Sequence, residues 1–108
     1  MDSRITFELD ALGIQPMASG RLCLNLSERV TWESFPRYAN DLLKFVSGKK
    51  VDAAESVEMR VWTIVMDGSE MRLVQEDFPS MVSLEAMDGG GDEALRRLHA
   101  KLLAAQSN

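Results

Sequence analysis

The chain has 108 residues, of which 45% are hydrophobic and 27% are charged, and these proportions fit one globular domain spanning residues 1–108. Its seven glycines, three prolines and single cysteine exclude a collagen-like chain and a disulfide-stabilised scaffold. Its hydrophobic content argues against intrinsic disorder. The composition by itself names no activity.

The net charge of -5 resides in the second half of the chain, since residues 1–54 carry equal numbers of acidic and basic side chains. An acidic surface repels phosphate backbones, so no nucleic-acid partner is expected. No apolar run approaches the roughly 20 residues of a membrane-spanning helix, so no membrane association is expected. Cys23 has no second cysteine to pair with, and the charged N-terminus does not resemble an export signal. A cytoplasmic location is therefore predicted.

Two strands are predicted before the first helix. Apolar residues alternate with polar ones over Ile5–Leu9 and again over Leu22–Leu26, which is the period of a strand with one buried face. The intervening segment, from about Asp10 to Gly20, is predicted to be a connection because glycine and proline interrupt it.

A helix is predicted over Phe35–Ser47, where apolar residues recur with helical spacing. Ser34 is the expected N-cap and Gly48 the expected left-handed stop. A polar connection over Asp52–Glu55 is expected to follow.

A hairpin is predicted around the turn Asp67–Gly68, with strands over Glu58–Met66 and Ser69–Gln75. Pairing Met66 with Ser69 places Ile64 opposite Met71 and Trp62 opposite Leu73 on one face, and Val65 opposite Glu70, Thr63 opposite Arg72 and Val61 opposite Val74 on the other. Phe78-Pro79-Ser80 interrupts the pattern, and Val82, Leu84 and Ala86 indicate a fifth strand beside the fourth.

The last element is a second helix, predicted to begin with Asp92 as its N-cap after an irregular run of three glycines. The predicted order is β-β-α-β-β-β-α. This order indicates an α+β two-layer sandwich with a five-stranded, mainly antiparallel sheet and both helices on one face.

Few residues offer catalytic or metal chemistry. Cys23 and His99 are the only thiol and the only imidazole, and the predicted fold places them on opposite sides of the sheet. Zinc takes three or four cysteine or histidine ligands, so no metal site is predicted. No cofactor is predicted either, and no nucleophile, base and orienting group can be assembled, which argues against an enzyme.

The sheet face away from the helices is the surface predicted to contact a protein partner. Apolar groups on adjoining strands make a patch of the kind that marks a partner or dimer surface. The predicted contact residues are Met59, Val61, Val65, Arg72, Val74 and Met81. A non-enzymatic interaction domain, docking through this face or a strand edge and self-associating as a homodimer or binding another protein, is the leading hypothesis. An acidic protein would be steered toward a basic target.

A small-ligand site is the alternative hypothesis. Trp32, Tyr38 and Trp62 would line a pocket between the first helix and the sheet. Packing in the core is the default explanation for Tyr38 and Trp62, because both lie at core-facing positions. Trp32 precedes the helix and either covers its base or anchors a partner.

The chain resembles a family of small uncharacterised bacterial proteins, a domain of unknown function. The likeness spans about Leu22–Leu103 and rests mostly on core residues: Trp32, Phe35, Pro36, Tyr38, Ala39, Leu42, Leu43, Arg60, Trp62, Leu73, Val82 and Leu84. The resemblance implies a bacterial cytoplasmic domain and no particular activity.

Overall fold

An antiparallel sheet of six strands carries two helices. The computed structural model describes residues 5–77 and 79–106. The elements along the chain are β1 (Ile14–Pro16), β2 (Leu22–Ser27), α1 (Phe35–Val46), β3 (Lys49–Glu55), β4 (Met59–Met66), β5 (Ser69–Asp77), β6 (Ser80–Ala86) and α2 (Gly89–Gln106). The strands lie in the order β1-β2-β6-β5-β4-β3, and every neighbouring pair is antiparallel.

One face of the sheet and both helices share a single core. Leu24, Leu84, Leu73 and Trp62 form a row across four adjacent strands through their register. All four are buried in one cluster with residues of both helices, which are Phe35, Tyr38, Ala39, Leu42 and Leu43 of α1 and Ala94, Leu95, Leu98 and Leu102 of α2. Both helices therefore cover the same face, and the α+β two-layer prediction is confirmed.

The predicted hairpin register is confirmed pair by pair. Met66 pairs with Ser69, Trp62 with Leu73, and Val61 with Val74. At the turn, Asp67 and Gly68 have φ angles of 51° and 75°, both in the left-handed region that a type I′ turn requires. β6 pairs with β5 as expected. The residue Phe78 of the predicted break lies outside the described part of the chain.

The predicted first strand, Ile5–Leu9, is wrong. We call residues 5–11 the N-terminal arm; its described residues have no strand pairing and pack on the helix layer. Phe7 contacts the rings of Tyr38 and Phe45 on α1, and Leu9 belongs to the core cluster. The alternating apolar residues bury one side of an extended segment, but helices rather than a neighbouring strand receive it.

Two strands that the sequence analysis assigned to connections bring the sheet from five strands to six. β1 is three residues long and lies inside the predicted Asp10–Gly20 connection. β3 covers Lys49–Glu55, including the predicted polar connection Asp52–Glu55, and all seven of its residues are exposed. An edge strand with no buried face lacks the alternation on which strand prediction depends.

The ends of both helices differ in detail from the prediction. Ser47, with φ of 55°, adopts the left-handed conformation assigned to Gly48, and the amide of Gly48 donates to the carbonyl of Leu43 (2.9 Å). α2 begins at Gly89, because the Asp88 carboxylate caps it by accepting from the Gly91 amide (2.7 Å). A helix N-terminus tolerates glycine when a cap holds it, so the three glycines form the first turn of α2.

Asp92, predicted as that cap, instead joins α2 to β2. Its Oδ1 accepts a hydrogen bond from the Leu22 amide (2.8 Å), and its Oδ2 lies 3.2 Å from Arg21 Nη1. The side chain therefore stabilises the contact between these elements.

Asp10 fastens the arm to the end of β2, and its ionisation makes the stability of this contact depend on pH. Its oxygens accept from Ser27 Oγ (2.7 Å) and the Glu28 amide (2.8 Å). Burial acts to raise the pKa of Asp10, but these two bonds and the charge of Arg29 outweigh it, so that the pKa is lowered.

We expect Asp10→Asn to lower the free energy of unfolding at neutral pH. A depressed carboxyl pKa stabilises the fold above the unfolded value of about 3.9, and the contribution is lost as the pH falls through the lower folded pKa. Urea denaturation of both proteins from neutral to acidic pH checks this, and the two curves should converge at the acid end. A gap that stays constant down to about pH 2 would contradict the assignment.

Candidate functional site

The predicted contact residues share one face of the sheet. We call the face turned away from the helices the outer face. Met59, Val61, Val65, Arg72, Val74 and Met81 all lie on it, because they alternate with core residues and are joined by register: Val61 with Val74, Val65 with Glu70, Arg72 with Thr63, and Glu76 with both Met59 and Met81. The sheet thus brings all six residues to one surface.

The apolar groups of this face are not one continuous patch. Met59 and Val61 follow each other along β4, Val74 adjoins Val61, and Met81 lies beyond Glu76. We call Met59, Val61, Val74 and Met81 the apolar cluster. Val65 is separated from it by the polar pair Thr63 and Arg72, and is flanked by Lys49 and Glu70.

The members of the cluster differ in accessibility. Val74, in a central strand, is only 3% exposed, and its neighbour Ser83 is 9% exposed. Met59, Val61 and Met81 are half-buried. The accessible apolar surface is therefore supplied by these three, while Val74 lies nearly buried beside Val61.

Acidic side chains surround the apolar cluster. Glu76 stands between Met59 and Met81, and Glu85 and Arg72 are cross-strand neighbours in the next row. On the outer face, β5 and β6 carry three carboxylates, those of Glu70, Glu76 and Glu85, against one guanidinium. Neither Glu76 nor Glu85 was among the contact residues predicted from the sequence. Extending the hairpin register two residues beyond Val61 and Val74 would have found Glu76.

Cys23 also lies on the outer face, where it is buried among polar neighbours. Its Sγ lies 3.7 Å from Asn25 Oδ1, which accepts from Ser83 Oγ (3.0 Å). Burial raises the pKa of the Cys23 thiol. His99 is on α2, where its Nε2 lies 3.0 Å from the Leu12 carbonyl oxygen. The thiol and the imidazole are therefore in different layers, and the thiol is held in its unreactive form.

The three aromatic residues of the ligand hypothesis lie in different surroundings. Trp62 is buried. Its ring centroid lies 5.5 Å from that of Phe35, with the two rings nearly perpendicular, and the Lys50 ammonium lies 4.0 Å from the Trp62 ring centroid. Trp32 is half-buried, with the Arg60 guanidinium 4.9 Å from its ring, and Arg60 Nη1 donates to the Trp32 carbonyl (2.7 Å).

Tyr38 lines an open cleft between α1 and the arm. The cleft has a volume of about 590 Å³, and neither Trp32 nor Trp62 is among the residues that line it. Its polar side chains include Arg29, Arg37 and Asp41. Burial raises the pKa of Tyr38, and the charges of Asp10 and Glu8 raise it further, so its hydroxyl remains a hydrogen-bond donor.

A protein-family comparison identifies the group to which the chain is related. Residues 12–104 match the family model described as a protein of unknown function, DUF3630. The chain belongs to this family. The DUF3630 match spans β1 through most of α2 and leaves out the arm. It confirms the resemblance to an uncharacterised family. No curated protein and no solved structure matches the chain.

Two further findings concern the described part of this DUF3630 member. Neither helix there has the length and apolar character that crossing a membrane requires. Residues 5–77 and 79–106 contain no group of three histidine, cysteine or carboxylate side chains placed to hold a metal ion.

Proposed function

We propose that this domain is a non-enzymatic protein-interaction domain of the bacterial cytoplasm that docks a basic partner protein on its outer face. The observation that carries the proposal is the one-sided fold. Both helices and the arm pack on the same face of the sheet, and no element among the described residues covers the other.

The charges on the outer face favour a basic partner over a second copy of the chain. Two copies docked through this face would bring Glu70, Glu76 and Glu85 of each into one interface, with Arg72 and Lys49 to offset them. Like charges placed together in an interface cost several kcal/mol. A basic partner surface would be attracted to these carboxylates, and the net charge of -5 on the domain would speed the association of the two proteins.

The β3 edge of the sheet is less suited to docking than the outer face. β3 is irregular between Lys50 and Asp52, where the register with β4 shifts. A bulge and lysine residues are devices that prevent an edge strand from pairing with another chain. The partner is therefore expected on the face.

Two variants test the docking face. Met81→Lys places a charge in the accessible apolar cluster, and Glu76→Lys reverses the charge beside it. Both positions are partly or fully exposed, so the chain can fold with lysine there. Each variant, used as bait in affinity capture from the native extract, should retain a basic partner roughly tenfold less than the wild type, about 1.4 kcal/mol of binding.

The matched control is Ala104→Lys, which adds the same charge at an exposed position of α2 on the opposite layer. It should capture the partner as the wild type does. Equal capture by all four proteins would contradict the proposal. A concentration-dependent dimer in sedimentation that Met81→Lys abolishes would replace the basic partner with a second copy.

The cleft beside Tyr38 supports small-ligand binding as a second candidate function. Arg29 and Arg37 in its lining offer guanidinium groups to an anionic group of a ligand, and Glu8 and Asp41 offer carboxylates to a cationic one. A compound that raises the melting temperature of the wild type but not of Arg37→Gln would support it. A panel of anionic metabolites that shifts neither protein would argue against it.

A further inference from the structure

We propose that the N-terminal arm is exchangeable between two copies of this chain, so that residues 5–11 of one copy dock on the helices of the other. Such an exchange is independent of the outer face, which stays free in both copies.

The helices hold the backbone of the arm through their side chains. Tyr38 Oη of α1 donates to the Glu8 carbonyl (2.7 Å), and Gln106 Nε2 of α2 donates to the Leu9 carbonyl (2.8 Å). These two bonds hold successive carbonyls of the arm from two different helices. Neither bond requires the arm to be continuous with the body that holds it.

The side chains of the arm anchor it in the same way. The ring of Phe7 meets the rings of Tyr38 and Phe45 edge to face, with centroids 5.6 Å and 5.7 Å apart. Leu9 is buried in the core cluster, and Ile5 packs against it. The arm thus presents apolar side chains at every second residue to a site formed by the two helices.

The connection between arm and body is short and strained. Leu12 has a φ of 52°, a left-handed conformation that costs a non-glycine residue about 1 kcal/mol or more, and Gly13 follows it. An extended hinge at Leu12 and Gly13 would relieve this strain and project the arm away from its own helices. Strained hinges of this kind favour exchange of an element between protomers.

A second copy is the occupant that the structure supports, because its arm brings the same anchors and carbonyls to the same site. Every contact of residues 5–11 in the closed form is recovered in the exchanged form. The difference lies in the hinge, where opening would give up the contact of His99 Nε2 with the Leu12 carbonyl (3.0 Å) and the bond that the Asn25 amide donates to the Gly13 carbonyl (2.8 Å). A chain's own arm competes with the arms of other chains for the same site. The exchanged fraction is therefore expected to rise as the protein concentration approaches the effective concentration of the chain's own arm.

Disulfide trapping distinguishes the closed form from the exchanged form. The full chain carries Phe7→Cys and Phe45→Cys, with Cys23→Ser to remove the native thiol. An equal mixture of ¹⁵N-labelled and unlabelled chains is refolded at low and at high concentration and then oxidised. We expect intramolecular 7–45 disulfides in dilute samples, and several-fold more mixed-label intermolecular 7–45 disulfides in concentrated ones.

In the control, the cysteine of the arm is placed at position 6 and not at position 7. Thr6 is exposed, whereas Phe7 contacts Phe45 of α1. Thr6→Cys with Phe45→Cys should give little of either product. The proposal is overturned by intramolecular disulfides alone at every concentration, or by equal yields from the control.

A second measurement uses the wild-type chain and so leaves the Phe7 anchor intact. Refolding at high concentration followed by dilution should leave a dimer in sedimentation that returns slowly to monomer, because the exchanged arms must undock first. A monomer throughout overturns the proposal.

Discussion

Replacing Gly48 with alanine is expected to lower the free energy of unfolding by about 2 kcal/mol. Gly48 joins the end of α1 to β3, and a Cβ built on it would lie 2.9 Å from the backbone oxygen of Val65 in β4. The same methyl would meet Leu43 Cδ2 and Val46 Cγ2, both at 3.1 Å. The side chains can shift, but the Val65 oxygen belongs to a strand paired on both sides, so relieving the contact disturbs the sheet.

Gly13→Ala is the matched control for this experiment. A Cβ at Gly13 would have only Asn25 Nδ2 within range, at the ordinary contact distance of 3.9 Å. We expect its stability to stay within about 0.5 kcal/mol of the wild type, or to rise slightly because alanine restricts the unfolded chain. Urea denaturation of both variants measures the difference, and equal losses would show that close approach is not what requires glycine at position 48.

The hairpin could be predicted to the residue because its information is local. The dipeptide Asp67–Gly68 allows positive φ at two successive positions, and this turn fixes which residues of β4 and β5 face each other. Once Met66 pairs with Ser69, alternation assigns every later pair to one face or the other. The outer face followed from this reasoning.

The arm and β3 could not be predicted because what decides them is not local. Ile5, Phe7 and Leu9 alternate as a strand does, and nothing in their own segment shows that helices rather than a strand lie against them. β3 has the opposite difficulty, since its exposed Lys49–Glu55 run shows no buried face and pairs only because β4 offers a free edge. Tertiary context overrides local pattern in both cases.

The candidate site shows the same division. The face on which Val61, Val74 and Met81 lie follows from the hairpin and from the fifth predicted strand. How far each residue reaches solvent does not follow, because it depends on the side chains packed around it. Val74 in the central strand β5 is 3% exposed, whereas Val61, which pairs with Ala54 of the edge strand β3, is half-buried. A test based on Val74→Lys would place a charge in a buried position and unfold the domain, so Met81 and Glu76 are the positions that report on docking.

Replacing Trp62 with alanine is expected to lower the free energy of unfolding by about 3–5 kcal/mol. The side chain is 6% exposed, it packs edge to face on Phe35, and it links β4 to α1. Its removal leaves a large cavity and also deprives the Lys50 ammonium of the ring that it covers at 4.0 Å. A domain of this size has about 5–15 kcal/mol of stability in all, so the variant should be close to unfolding at 37 °C.

Trp32→Ala provides the comparison, because it removes the same side chain from a half-buried position. The bond from Arg60 goes to the Trp32 carbonyl, which alanine retains, so the variant loses the contact between ring and guanidinium and the partial burial of the ring. The contact contributes about 1 kcal/mol, and removing a half-buried ring leaves no enclosed cavity. Thermal unfolding followed by circular dichroism should therefore rank the wild type above Trp32→Ala and both well above Trp62→Ala. If Trp62→Ala instead melts with the wild type, Trp62 does not support the core, and a binding role for its ring becomes the better explanation for an aromatic residue at that position.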